Sequence, residues 1–193
     1  MTELAAIAAD IWARLGASAE RGRLAWHTPV VGTADGALRV MVLRHVDPVA
    51  ATLHFHTDAR APKVAVIEAD ARVALLFYDP EAKLQLRCTG RGAIAAAGAL
   101  ADAAWTASPA SSRRCYLAQA APGSRTAGPS SGLPHTVEGR VPTLAETEPG
   151  RAHFAVLTVT LDSIDWLYLA HDGHRRALFE RRDDGWTMGW RIP

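Results

Sequence analysis

What most limits the fold is the stretch 24–94, where short strand-like runs alternate with turn signals. Asp35-Gly36 is the strongest of these signals, because a tight hairpin turn needs residues that tolerate positive φ. Residues 26–33 and 37–46 flank it as predicted strands. In the second, Leu38, Val40, Val42 and Arg44 share one face, and Arg39, Met41 and Leu43 share the other. Residues 52–57, 73–78 and 83–94 read as further strands. Pro62, at a tolerated first-turn position, opens a short helix over 61–69.

Helical spacing dominates the start of the chain. Leu4, Ile7, Ile11, Trp12 and Leu15 recur on one face, with Thr2 as N-cap and Gly16 as stop, which predicts a helix over 1–16. Two more helices are expected over 97–107 and 111–120. Residues 122–149 carry proline and glycine too often for regular structure, and a loop this long is functional, an arm or disordered. Strand texture returns over 153–161, 164–169, 175–181 and 186–192. Strands on both sides of a helical insert predict one domain over 1–193, a mixed β-rich α+β barrel.

Charge narrows the function. Twenty-one basic against twenty acidic residues leave a net charge of +1, which offers no broad field for nucleic acid or an anionic membrane. An anionic ligand must therefore be held by a local cluster of cations. Two cysteines, Cys88 and Cys115, make no disulfide framework. Residues 1–15 lack the basic start and apolar run of a signal peptide, and no apolar run approaches the ~18 residues of a membrane span. A cytoplasmic protein without membrane or nucleic-acid partners is the expectation.

Several motifs fail on context. Gly90-x-Gly92-x-x-Ala95 matches a dinucleotide fingerprint, but helices and a Pro/Gly loop follow where a parallel strand is needed. Gly128-x-Ser130-x-Gly132 lies deep in irregular chain, not between a strand and a helix. His54 and His56 share a strand face, and His171 and His174 flank Gly173, yet no carboxylate or thiolate completes a metal site. No metal is expected.

Three segments survive. Arg39 to Arg44 places guanidinium groups at each end of an apolar strand. His56-Thr57-Asp58-Ala59-Arg60-Ala61-Pro62-Lys63 sets a hydroxyl, an arginine and one of only two lysines at a strand-to-helix junction, a ready anion site. Trp166 and His174-Arg175-Arg176 pair a large flat ring with cations on adjacent strands.

Together, and in this order, these segments resemble the pyridoxamine 5′-phosphate oxidase family, the FMN-binding split barrels. The resemblance runs over about 24–193, with the central loop divergent. Arg39-Val40-Met41-Val42-Leu43-Arg44 is similar to the family's Arg-x-Val-Leu-Leu-Lys strand, whose arginine and backbone hold FMN. His56-Thr57 resembles its Tyr-Thr pair, Pro62-Lys63 its phosphate-clamping Arg-Lys pair, and Gln85 the glutamine on the flavin ring. Trp166, Arg176 and the run 186–193 look like its C-terminal signature. The resemblance implies an antiparallel split β-barrel with flanking helices, a homodimer with FMN at the interface, and Trp166 and Arg176 supplied by the second chain. Arg39, Thr57, Lys63 and Arg60 would hold the phosphate.

The chain departs from the family on the substrate side. Arg44 replaces the lysine, Trp105 stands near the tyrosine, Ser108 replaces an arginine while Ser112 keeps the serine, and Asp172-Gly173-His174 replaces Arg-x-His. Asp172 would set a negative charge against a phosphate dianion. The resemblance therefore implies an FMN oxidoreductase acting on a small molecule other than pyridoxamine phosphate, with His174 and Arg44 as catalytic candidates. The alternatives are the family's own oxidase reaction, with Arg113 or Arg114 replacing the lost arginine, and a flavin- or haem-binding protein without turnover.

Overall fold

Gly36 takes φ 81°, and the turn it makes joins β1 (Val30–Thr33) to β2 (Leu38–Val40) in the predicted hairpin. In the computed structural model, which describes residues 2–193, the chain continues as β3 (Leu43–Asp47), β4 (Thr52–Asp58), α1 having preceded them at Glu3–Glu20. α2 (Pro62–Ala69), β5 (Arg72–Asp79), β6 (Leu84–Ala95), α3 (Ala99–Ala107) and α4 (Ala110–Arg113) follow. A short α5 (Leu144–Thr147) then leads to β7 (Phe154–Tyr168), β8 (Arg175–Arg182) and β9 (Gly185–Arg191). Met1, where the predicted first helix begins, lies outside the described residues.

Every pairing is antiparallel, in the order β2-β1-β5-β6-β7-β4-β3, with β8 and β9 continuing from β7. β2 and β3 stand at opposite ends of that order, yet only Met41 and Val42 separate them. So short a link reaches roughly 10 Å, so the two ends of the sheet must meet. The sheet is therefore curled into a barrel. Met41 N–H still donates to the Pro29 carbonyl at 3.1 Å, and Leu43 begins the pairing with β4. The predicted single strand 37–46 is thus two strands with the barrel's seam between them.

β7 splits the barrel. It pairs with β6 over 156–168, with β4 over 154–160, and with β8 over 163–168. Asp162 falls at a bulge opposite Thr89 and Gly90, where the pairing shifts register. Here only glycine fits, since a Cβ on Gly90 would lie 2.2 Å from the Thr160 carbonyl oxygen. Two strands were expected over 153–169; the bulge lets one strand serve both sheets.

Leu43, Leu53, Phe55, Phe77, Leu86, Leu157 and Leu161 fill the barrel. α1 closes it with Ile11 and Leu15, and Trp12 meets Trp186 of β9 edge to face. The helix does not stop at Gly16 but continues to Glu20. A mid-helix glycine costs about 1 kcal/mol, less than the burial of Leu15 and Ser18 around it returns. Three other expectations shift. Trp26 belongs to a buried 3₁₀ turn before β1 instead of to a strand. The helix expected over 111–120 is α4 followed by a 3₁₀ turn, Arg114–Leu117. Within 122–149 α5 forms, held by a capping box between Thr143 and Glu146. No helix among the described residues is long and apolar enough to cross a membrane.

Candidate functional site

The barrel seam places three cations around one cleft of about 370 Å³. Arg39, on β2, donates from Nη1 to the Thr33 hydroxyl at 2.9 Å and the Val31 carbonyl at 3.3 Å. Arg44 sits where β3 shifts register against β4, and the bulge turns its side chain beside His56. Lys63 enters from the first turn of α2. None of the three forms an ion pair among the described residues. Burial, and then the charge of Arg39, lower the Lys63 pKa from its ordinary value. Asp58, the one acid lining the cleft, is paired with Arg60, so the cleft is a concentrated positive site in a nearly neutral chain.

Thr57, 4% exposed, and Ser112 bring hydroxyls to the same cleft, and Met41 and Val42 contribute the chain at the seam. His56 packs edge to face on Phe154, centroids 4.8 Å apart. Burial, then Arg44 and His54, push its pKa down to about 4, so its ring is neutral at pH 7. Cys115, Tyr116 and Pro122 complete the wall. Sequence reasoning missed these three. Nothing local marks them, because hydrogen bonds distant in sequence bring them there.

Arg60 makes that arrangement. Instead of facing the cleft as a phosphate partner, it grips Asp58 through Nε at 3.0 Å and Nη2 at 2.7 Å, and donates to the Ala118 carbonyl at 3.0 Å. A buried carboxylate needs such pairing. Burial raises the Asp58 pKa, but the bonds from Arg60 outweigh it and the net shift is downward. His153 Nδ1, 2.8 Å from the Tyr116 carbonyl oxygen, holds the same wall.

The other residues singled out from sequence lie elsewhere. Leu43 is fully buried, so its side chain faces the core and not the cleft. Gln85 pairs with Leu167, which pairs with Arg176, so the three share a face of the sheet. Trp166 points the other way and is 6% exposed in the core. Arg176 donates to Asp165 through Nε at 2.9 Å and Nη2 at 2.7 Å, and Arg87 binds the same carboxylate. None of Gln85, Trp166 and Arg176 lines the cleft of its own chain. His174 is exposed on the turn between β7 and β8, and Asp172 beside it is solvated.

Arg113 and Arg114 are both engaged. Arg113, 4% exposed, donates to Glu148 at 2.7 Å and to the Ser108 and Thr106 carbonyls. Arg114 donates to the Arg140 carbonyl at 2.5 Å. Ser108 bonds back to the Ala104 carbonyl at 2.8 Å, and Trp105 is buried with Tyr116 and Phe154. Beside the cleft, between α3 and the β3–β4 hairpin, lies a second cavity of about 440 Å³ that shares Arg44 and His56 with it. His54 and His56 share a face as predicted, but that face lines this cavity. No group of three His, Cys, Asp or Glu residues fit for a metal occurs among the described residues.

Comparison with known proteins agrees with this geometry. Residues 26–96, which hold the three cations and Thr57, match the family model described as pyridoxamine 5′-phosphate oxidase, FMN-binding domain. No curated protein matches the chain. Among solved structures, a pyridoxamine 5′-phosphate oxidase-related, FMN-binding protein from Nostoc punctiforme is similar at TM-score 0.73 and 20% identity, covering 100% of this chain and 99% of the other. PhzG from Burkholderia lata, in complex with tetrahydrophenazine-1-carboxylic acid, is similar at TM-score 0.67 and 16% identity, covering 100% and 94%. A general stress FMN/FAD binding protein from Xanthomonas citri reaches TM-score 0.50 at 17% identity, covering 83% and 88%. Residues 26–96 thus match the model of that FMN-binding domain, and the likeness to solved structures extends the same fold, a curled antiparallel sheet with flanking helices that fits a split barrel, over the whole chain.

Proposed function

We propose that the cleft binds FMN and that the protein is a cytoplasmic, homodimeric FMN oxidoreductase acting on a small molecule other than pyridoxamine phosphate. The carrying observation is the convergence of Arg39, Arg44 and Lys63, none in an ion pair among the described residues, on buried Thr57 and the start of α2. That donor set fits a phosphate monoester: two or more cations and a hydroxyl beside the start of a helix. Arg39, Lys63 and Thr57 hold the phosphate, and the chain at Met41 and Val42 lies along the ligand. Bound FMN supplies hydride chemistry of its own; the protein orients it and excludes water.

Two observations support the dimer. Leu38 is 72% exposed and Val40 63% exposed, side by side on the outer face of the sheet near Leu76. Gln85 and Arg176 share an outer face off their own chain's cleft, where a partner's flavin would have to meet them, whereas Trp166 is buried in the core. The substrate assignment rests on the inward-turned Arg113, the self-bonded Ser108 and the engaged Arg114, which leave Arg44 as the one guanidinium free on the substrate side.

The test is a visible spectrum of the purified protein, then heat release and chromatography of its chromophore. Released FMN supports the reading; a colourless protein that takes up no added FMN refutes it. Aerobic turnover of pyridoxamine phosphate with peroxide release would refute the substrate assignment. One observation favours flavin binding without turnover: His56 is held neutral and burial raises the pKa of Cys115 and Tyr116, so none of these three is shifted toward proton exchange at neutral pH. Bound flavin that no physiological donor reduces would establish that second reading.

A further inference from the structure

We propose that the cavity between α3 and the β3–β4 hairpin is the substrate pocket, and that it takes a flat, largely apolar molecule bearing a single carboxylate. The inference rests on the flavin reading of the adjoining cleft, because Arg44 and His56 line both spaces and make them continuous.

The polar side chains lining the cavity are Arg44, His45, His54, His56 and Ser108, the last bonded back to the Ala104 carbonyl, and among the described residues no acid lines it. His45 and His54 are cross-strand partners with ring centroids 5.0 Å apart, so their ring nitrogens can meet polar atoms on one edge of a planar ligand. The opposite wall is apolar, made by Leu100, Ala103 and Ala107 on α3, while Val156 of β7, the cross-strand partner of His56, adds an apolar patch beside the histidines. Ala103 and Ala107 stand one turn apart and are exposed, so methyl groups alone face the opening and leave a shallow, flat wall. At about 440 Å³ the space suits one or two fused rings.

Charge sets the headgroup. Arg44 is the only permanent cation on this cavity, and a guanidinium matches one carboxylate bidentately. Burial holds the pKa of His54 below its ordinary value, and that of His56 as well, so these rings act as neutral partners. A phosphate dianion would need a second cation. The two arginines nearest in sequence to the cavity's Pro109 rim, Arg113 and Arg114, are spent on Glu148 and the Arg140 carbonyl.

The proposal is tested by calorimetric titration of the FMN-loaded, full-length protein with 2-naphthoate and with 2-naphthyl phosphate. Naphthoate is expected to bind about tenfold more tightly or better. Ala103→Trp, which fills the slot, is expected to weaken naphthoate about tenfold or more, and Ala107→Trp is a second blocking variant should the first not fold. Equal affinity for the two probes overturns the single-carboxylate assignment. Naphthoate affinity that survives both blocking variants overturns the location, and no binding by the flavin-loaded protein overturns the pocket altogether. Flavin absorbance, read on the same samples, separates these results from failure of the flavin cleft: protein that takes up no FMN removes the substrate role even where naphthoate binds.

Discussion

The guanidinium of Arg113 lies over the ring of Trp105, its Cζ 4.7 Å from the ring centroid, while its Nη1 reaches Glu148 at 2.7 Å. This pair turns inward a residue that sequence alone offers as a phosphate ligand. It also ties α3, α4 and the segment after α5 into one unit behind the cleft wall. With Tyr116 and Phe154 around Trp105, the unit forms a small core of its own.

Replacing Arg113 therefore costs stability. Arg113→Met removes the bonds to Glu148, Ser108 and Thr106 from a nearly buried position, and about 2–4 kcal/mol is expected. Arg113→Lys recovers little of this, because a point charge cannot reproduce three divergent contacts and the ring stacking. Urea denaturation midpoints measure both. A midpoint unchanged in Arg113→Met would show that the arginine is not a structural element.

Lys63 separates binding from folding. Lys63→Met is expected to weaken FMN about 10- to 100-fold through loss of a charge-assisted contact to the phosphate. The flavin-free protein should not melt lower, since burial and Arg39, which act against the Lys63 charge, outweigh Asp58, the one acid that acts in its favour. Fluorescence titration with FMN and thermal melts of the apoprotein give the two readouts. A lowered melting temperature with unchanged FMN affinity would reverse the assignment.

His56 makes stability depend on pH. Its folded-state pKa, about 4, lies below the ordinary 6.5, so between these values the unfolded chain takes up a proton that the folded chain refuses. Stability is complete above pH 6.5, falls as the pH drops, and levels off below about 4 for this group. The loss is about 2–3 kcal/mol, and His54, shifted the same way, adds to it. Urea unfolding from pH 4.5 to 7.5 should show this slope, and His56→Gln should flatten it. A slope equal in both proteins would exclude His56 as its source.

Leu38 tests the dimer. Leu38→Glu sets a charge in the exposed apolar face of β2 and is expected to yield monomers that retain their fold but lose most FMN affinity. Sedimentation velocity and FMN titration report the two effects. A wild-type protein that sediments as a monomer while binding FMN fully would remove the interface from the proposal.

Much of the barrel is legible in local sequence. The Asp35-Gly36 turn, the alternation across residues 37–46, the helix opened by Pro62 and the long run of β6 each follow from nearest-neighbour chemistry. The cleft's first contributors are legible for the same reason, since Arg39, Arg44, Thr57 and Lys63 fall at strand ends and a helix start close together in the chain. The remaining wall is not. Cys115, Tyr116 and Pro122 reach the cleft because Asp58, Arg60 and His153 hold the chain near 116–119, and such pairings leave no local pattern.

By itself, then, the sequence determined the antiparallel β-rich class, the order of most elements and the positive end of the cleft. These depend on side-chain period, turn geometry and formal charge, which act over a few residues. Only the tertiary structure decided that residues 37–46 break at the seam, that β7 serves two sheets, and which arginines face the cleft. Those outcomes follow from barrel closure, from the lack of room for any side chain at Gly90, and from the requirement that buried charges such as Asp58 and Arg113 find partners within the fold.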